Sequence, residues 1–200
     1  MMLNAYSMTR AVRTAGEQIR ARALLLAMFV GSMWLTFFLS VAIPGLHLDR
    51  HGVIPRTLSG LQGILFAPWL HANIGHLVAN TGGLLILGGL VMWPRISNFY
   101  EALIGSMLGA GLCSWLFGAA WSDHIGASGV VFGFAGYLVG RGVYTRNVLA
   151  IVVALFVVGT YGLSMLLGVL PIYPGISWQS HLGGAIGGFL AARGSRGERS

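Results

Sequence analysis

The sequence predicts an all-α fold, a polytopic membrane bundle of six transmembrane helices. Three observations carry that expectation. Of 200 residues, 56% are hydrophobic and 8% charged, with a mean hydropathy of +0.77, whereas a soluble domain carries about 25% charged residues. The apolar residues fall in long runs separated by arginines. Glycine occurs 31 times without the period of collagen or the polarity of a linker, which is the composition of closely packed membrane helices.

Taken in order, the apolar runs are 23–44, 74–93, 102–121, 127–140, 147–169 and 179–192. A helix needs about 20 residues to cross the hydrocarbon, with a range of about 17–25. Four runs meet that length. The fourth and sixth are about 14 residues long and reach only about 21 Å, so each must start below one surface and be shielded there by protein. Residues 1–22 and 194–200 read as polar cytoplasmic tails, and 23–193 as the membrane domain. No cleavable signal is evident, and the first run reads as a retained anchor.

The segment 45–73 joins the first two runs. Pro44, Pro55 and Pro68 mark it as a loop, yet Leu61, Ile64, Leu65, Phe66, Trp69 and Leu70 make it too apolar to sit freely in water. A folded, partly interfacial hairpin is expected, with Trp69 near the headgroups.

The formal charge of +7 comes from 12 arginines against five acidic residues, with no lysine. The arginines lie between apolar runs rather than on one face, which argues for topology and against a nucleic-acid partner. Arg10, Arg13, Arg20, Arg22, Arg95, Arg141, Arg146, Arg193, Arg196 and Arg199 fall on one side of a six-span alternation, and only Arg50 and Arg56 on the other. The positive-inside rule then places both termini in the cytoplasm of a plasma-membrane protein. Cys113 is the single cysteine and lies mid-run, where it reads as a small buried apolar residue.

Polar residues inside such runs are expensive and mark function. Ser128 opens the fourth run, behind Asp123, His124 and Gly126. A serine there ordinarily caps the helix. It can also attack a carbonyl while the N–H groups of the first turn hold the oxyanion. Gly129, Gly133, Gly136 and Gly140 form one stripe at helical spacing, and His181, Gly184, Gly188 and Ala192 form another. Facing stripes of small residues bring two backbones close, which would carry His181 to Ser128. A serine needs a base to accept its proton, and His181 is the histidine available in the last four runs. Glu17, Glu101 and Glu198 are expected on the cytoplasmic side and Asp49 and Asp123 in external loops, so a Ser–His dyad is expected rather than a triad. Asp123, five residues before Ser128, is the alternative third member.

His76 and Asn80 are four residues apart on the second run and share a face. Neutral donors aimed into one dry cavity are the chemistry of an oxyanion hole. His71 is expected to hydrogen-bond loop backbone. His47, His51 and His124 are scattered without metal-ligand spacing, so neither metal nor cofactor is expected. The competing assignment is a membrane cytochrome, with His76 and His181 as axial haem ligands; it leaves Ser128 without a role.

These residues resemble the rhomboid intramembrane serine proteases over roughly 58–193. The anchors are His71-x4-His76-x3-Asn80, then Gly126-Ala127-Ser128-Gly129 followed by Val130-Val131-Phe132-Gly133, and His181-Leu182-Gly183-Gly184 with Gly188. The resemblance implies Ser128 as nucleophile, His181 as base, and His76 and Asn80 as oxyanion donors beside the Ser128 N–H. Gly126, Gly129, Phe132, Gly184, Gly188 and His71 support them. It implies a transmembrane protein as substrate and a site opening to the extracytoplasmic side, with 45–73 and 171–177 as candidate lids. Two departures stand out. The Trp-Arg pair that many rhomboids carry in the first loop is not matched by Leu61-Gln62-Gly63, and Phe132 stands where many have tyrosine. A non-catalytic rhomboid relative that delivers membrane clients is the alternative within the family.

Overall fold

The computed structural model describes residues 5–197. Within them the regular structure is helical, apart from one isolated antiparallel bridge between Val53 and His124. The α-helices are α1 (Ala5–Ala42), the single turn α2 (Gly63–Phe66), α3 (Ile74–Val91), α4 (Ser97–Phe117), α5 (Ser128–Thr145), α6 (Val148–Gly168) and α7 (Trp178–Ala191). The all-α, polytopic fold class is as expected. The four helices long and apolar enough to cross a membrane are α1 from Thr14, α3, α4 and α6, which match the four long apolar runs.

The helix starts follow capping chemistry. Asn73 accepts from the His76 N–H at 2.9 Å to start α3. Asn147 accepts from Leu149 N–H at 2.9 Å to start α6. Ser177 accepts from Ser180 N–H at 3.3 Å to start α7. Each satisfies a donor that the first turn leaves unpaired.

Several boundaries differ from those the charges suggested. Residues 5–22, expected as a polar tail, form the first part of α1; eight of these 18 residues are Ala or Arg, which favour helix, and none is proline. Helix α4 begins at Ser97 rather than 102, so Glu101 lies inside it. Helix α5 was expected to stop at residue 140 but runs through Arg141 to Thr145, 18 residues or about 27 Å. Arg141 donates to the Trp93 carbonyl at 2.6 Å, and such a partnered arginine does not end a helix. Only α7, at 14 residues, is as short as expected.

The two helices that fall short of spanning character, α5 and α7, are also the most enclosed. Their glycine stripes meet. A Cβ on Gly184 would overlap the Gly129 carbonyl, one on Gly188 the Gly133 carbonyl, and one on Gly136 the Ala185 carbonyl. A second contact of the same kind joins α7 to α4, where Gly183 and Gly187 lie against Gly109 and Gly105. Backbones this close leave no room for side chains and none for lipid. Around this centre, Phe134 of α5 meets Phe99 of α4 edge-on at 5.4 Å, and Phe99 meets Phe29 of α1 at 5.9 Å. Helix α6 is peripheral: its buried residues are Ala150, Val157 and Gly168.

The segment 45–73, expected as a folded hairpin, is packed and folded. It is a chain of 3-10 turns around α2. Gly63 allows the turn to fold on itself, since a Cβ there would overlap the backbone of Gly52 and Val53. Trp69 is half-buried against α1, donating to the Ser32 hydroxyl at 2.8 Å and meeting Phe29 edge-on at 5.3 Å. The loop also has an arginine anchor, at a position other than 61–63. Arg56, at φ 57°, donates from its guanidinium to the carbonyls of Leu116 at 3.1 Å and Gly118 at 2.8 Å. It thereby caps the negative end of α4. Trp115 of α4 returns a bond to the Thr57 carbonyl at 2.8 Å.

Candidate functional site

The approach to Ser128 is made by Gly126, whose φ of 111° is open to glycine alone at low energy. Its N–H donates to the Ala67 carbonyl at 2.8 Å, which ties this turn to the first loop. Ala127 occupies the N-cap, and no side chain caps α5. Ser128 is therefore the first helical residue and not the cap. Its hydroxyl points instead at the imidazole of His181, with Oγ and Nε2 2.8 Å apart.

His181 is buried. Its Nδ1 lies 2.9 Å from the carbonyl of Gly168, the last residue of α6. A carbonyl only accepts, so Nδ1 carries the proton and Nε2 presents its lone pair to Ser128. The backbone carbonyl thus orients the ring where a carboxylate would do so in a triad. Gly168 was not legible in the sequence, because any residue supplies a carbonyl. Phe132 lies flat on the ring, with centroids 4.0 Å apart and planes at 12°. Gly168 lies at the edge of both rings, where a Cβ would be 2.5 Å from the phenyl Cζ and 3.2 Å from His181 Nδ1.

His76 and Asn80 converge on the same turn from α3. A Cβ on Gly126 would meet His76 Cε1 and lie 3.5 Å from Asn80 Nδ2. Both side chains therefore flank the backbone two residues before Ser128. His71 contacts the Trp69 carbonyl, as expected for a loop-bonded histidine, but at 3.4 Å. Its shorter bond, 3.0 Å, joins Nε2 to Asn80 Nδ2. Burial, then the neighbouring His76, lowers the His71 pKa to about 4. The neutral ring accepts from the Asn80 amide and fixes its orientation. The rings of His71 and His76 meet edge-on at 5.1 Å.

Sequence reasoning missed His124 and Ser177. His124 Nδ1 is 2.6 Å from the Ser177 hydroxyl and Nε2 is 2.8 Å from the Ser122 hydroxyl. Its backbone pairs with Val53 through two 3.0 Å bonds. Asp123, the alternative third member, lies on an exposed stretch beside Gly52 of the first loop. Below the Ser128–His181 pair, an apolar groove of about 490 Å³ runs between α5, α6 and α7, with Phe132 at its head and Phe189 among its lining residues.

A model of the Rhomboid domain matches residues 59–196 of the chain. An uncharacterized protein of Mycobacterium tuberculosis is 42% identical over 158 residues, 75% of this chain and 65% of that protein. An uncharacterized protein of Mycobacterium leprae is 41% identical over 153 residues, 72% of this chain and 60% of that protein. RHOMBOID-like protein 4 of Arabidopsis thaliana is 30% identical over 147 residues, 68% of this chain and 35% of that protein. The chain thus spans just under two thirds of the length of the mycobacterial relatives. No solved structure gives a significant match.

Proposed function

The chain belongs to the rhomboid family, and on that premise we propose that it is an intramembrane serine endopeptidase that cleaves transmembrane segments of other membrane proteins. The observation that carries the proposal is the 2.8 Å approach of Ser128 Oγ to His181 Nε2, on a ring whose Nδ1 is held by Gly168. A serine hydroxyl beside an unprotonated imidazole nitrogen is an activated nucleophile.

The reaction begins when His181 Nε2 accepts the Ser128 proton as Oγ attacks the scissile carbonyl. Negative charge collects on the carbonyl oxygen. Ser128 N–H, unpaired in the first turn of α5, and the side chains of His76 and Asn80 stabilise it. The imidazolium then protonates the leaving amine, and the C–N bond breaks. Water, deprotonated by His181, hydrolyses the acyl-enzyme and frees Ser128. No step in this sequence calls for a metal or a cofactor. A substrate helix must unwind to present its carbonyl, since a helix hides its carbonyls in its own hydrogen bonds.

The orientation belongs to the same proposal. All six long helices, α1 and α3 to α7, cross the membrane, with both termini cytoplasmic and Ser128 near the external surface of a plasma membrane. The arginine bias supports that direction, and so does the position of Ser128 and His181 at the ends of their helices opposite Arg141 and Arg193.

The test is labelling of the purified protein with a fluorophosphonate, together with cleavage of a single-span substrate in proteoliposomes. Both are expected for the wild type and both are lost in Ser128→Ala and His181→Ala. A wild type that neither labels nor cuts would leave the alternative of a non-catalytic relative that binds membrane clients.

A further inference from the structure

The proposed reaction depends on a short contact between residues 53 positions apart, and something must hold their two helix ends in register. The α5–α7 glycine contacts fix the helix axes. They do not fix the two polypeptide segments that lead into Ser128 and His181. One side chain touches both. His124 lies four residues before Ser128, and Ser177 lies four residues before His181.

The hydrogen bonds around His124 form a continuous chain from the start of α7 to the Ala119 carbonyl. Ser180 N–H donates to Ser177 Oγ at 3.3 Å. The Ser177 hydroxyl donates to His124 Nδ1 at 2.6 Å. His124 Nε2–H donates to Ser122 Oγ at 2.8 Å, and the Ser122 hydroxyl donates to the Ala119 carbonyl at 2.7 Å. This direction, with the neutral Nε2–H tautomer, gives both hydroxyl hydrogens an acceptor, whereas reversing it would leave the Ser177 hydroxyl hydrogen without one in this chain. Burial lowers the His124 pKa, which also favours the neutral ring. On the α7 side, the Ser177 carbonyl accepts the His181 N–H at 3.1 Å. The residue bonded to the His124 ring is thus the residue bonded to the His181 backbone. On its backbone side, His124 pairs with Val53, which joins the same point to the first loop.

We propose that His124 is a positioning residue, a tether that fixes the segment leading into Ser128 to the N-terminus of the helix carrying His181 and so sets the separation of the two side chains. The inference rests on the protease reading for its catalytic consequence. Its structural content, the coupling of residues 122–128 to the start of α7, stands apart from that reading. It also gives the two candidate lids a common hinge point, since the tether touches Val53 in one and Ser177 at the end of the other.

The experiment uses the full chain in proteoliposomes and four variants: His124→Leu, His124→Asn, Ser177→Ala, and His124→Leu with Ser177→Ala. Hydrogen exchange at 178–182 reads the start of α7, fluorophosphonate labelling reads Ser128, and cleavage of a single-span substrate separates kcat from KM. His124→Leu is expected to speed exchange at 178–182 about tenfold and to slow labelling and kcat about tenfold, with KM within about twofold of wild type. His124→Asn, whose Oδ1 stands where Nδ1 was, is expected to restore most of both. In the Ser177→Ala background His124→Leu is expected to add nothing, since the link is already cut.

The tether is overturned if His124→Leu leaves exchange at 178–182 within about twofold of wild type, or if its effect is undiminished in the Ser177→Ala background. The positioning role is overturned if exchange rises while labelling and kcat hold, or if His124→Asn behaves as His124→Leu does. A wild type that does not label overturns the protease reading, and the exchange measurement then decides the tether by itself.

Discussion

Phe132 lies flat against His181 with ring centroids 4.0 Å apart, and the carbonyl of Gly168 holds the far nitrogen of the same imidazole at 2.9 Å. The phenyl ring limits tilt and the carbonyl limits rotation. Between them they aim Nε2 at Ser128 without any carboxylate. Replacing tyrosine by phenylalanine at this position keeps the stack, because the stack uses the ring face and not the hydroxyl. Phe132→Leu is expected to lower kcat about tenfold through lost alignment, with little change in KM. Gly168→Ala is expected to do at least as much, since its Cβ would lie 2.5 Å from the Phe132 Cζ and 3.2 Å from His181 Nδ1. Cleavage kinetics on one reporter substrate check both.

Asn80 is expected to matter more than His71. Removing one oxyanion donor costs about 10²–10³ in kcat, so Asn80→Ala should fall in that range while leaving Ser128 intact as a nucleophile. His71→Ala acts only through the Asn80 amide it orients and should cost about tenfold. An Asn80→Ala enzyme that turns over at the wild-type rate would remove Asn80 from the site.

The His71 environment also predicts a pH dependence. Its folded pKa is lowered from 6.5 to about 4 by burial and then by His76. The unfolded chain therefore binds more protons between those values, and stability rises with pH across that window. The contribution is complete above pH 6.5 and is lost as pH falls toward 4. Thermal unfolding in detergent from pH 7 down to pH 4 should show a falling Tm, with a shallower slope in His71→Gln.

The glycines divide into two classes that a substitution can tell apart. Gly184 and Gly188 press on the carbonyls of Gly129 and Gly133, whereas Gly82 of α3 has nothing within 4 Å of its missing Cβ. Gly184→Val is expected to destabilise by about 3 kcal/mol or more through overpacking. Gly82→Ala is expected to be neutral or to stabilise by about 0.5–1 kcal/mol by lowering backbone entropy. Equal effects in an unfolding titration would refute the close α5–α7 approach.

Arg56 offers a separate test of the first loop. Its guanidinium bonds to the Leu116 and Gly118 carbonyls at the end of α4. Arg56→Met should free the loop, raising the rate of limited proteolysis within 45–73 about tenfold, while Arg50→Met should not.

Much of this site was legible before folding. Ser128, His181, His76 and Asn80 stood out because polar side chains inside or at the edge of apolar runs are costly. The glycine spacings of 3 and 4 showed which faces of α5 and α7 would meet. The four long apolar runs matched the four helices long and apolar enough to cross a membrane by themselves. Those features are local: they depend on residue type and helical period alone. The extent of α5 was not legible, because a charge was read as a boundary, whereas Arg141 stays within the helix and donates to the Trp93 carbonyl.

What only the tertiary structure decided has one physical cause, that backbone groups and distant loops carry no residue-type signal. Gly168 orients His181 through a carbonyl that every residue has. Arg56 anchors the first loop from outside the stretch where a Trp-Arg pair was sought, because a helix C-terminus accepts any cation that reaches it. His71 bonds to Asn80 more closely than to its own loop, and His124 meets Ser177 across 53 residues of chain. The sequence by itself determined the family and the all-α membrane fold, and it marked out Ser128, His181, His76 and Asn80 as the candidate site. The fold decided what holds them, since hydrogen-bond partners are chosen by distance in space and not by distance along the chain.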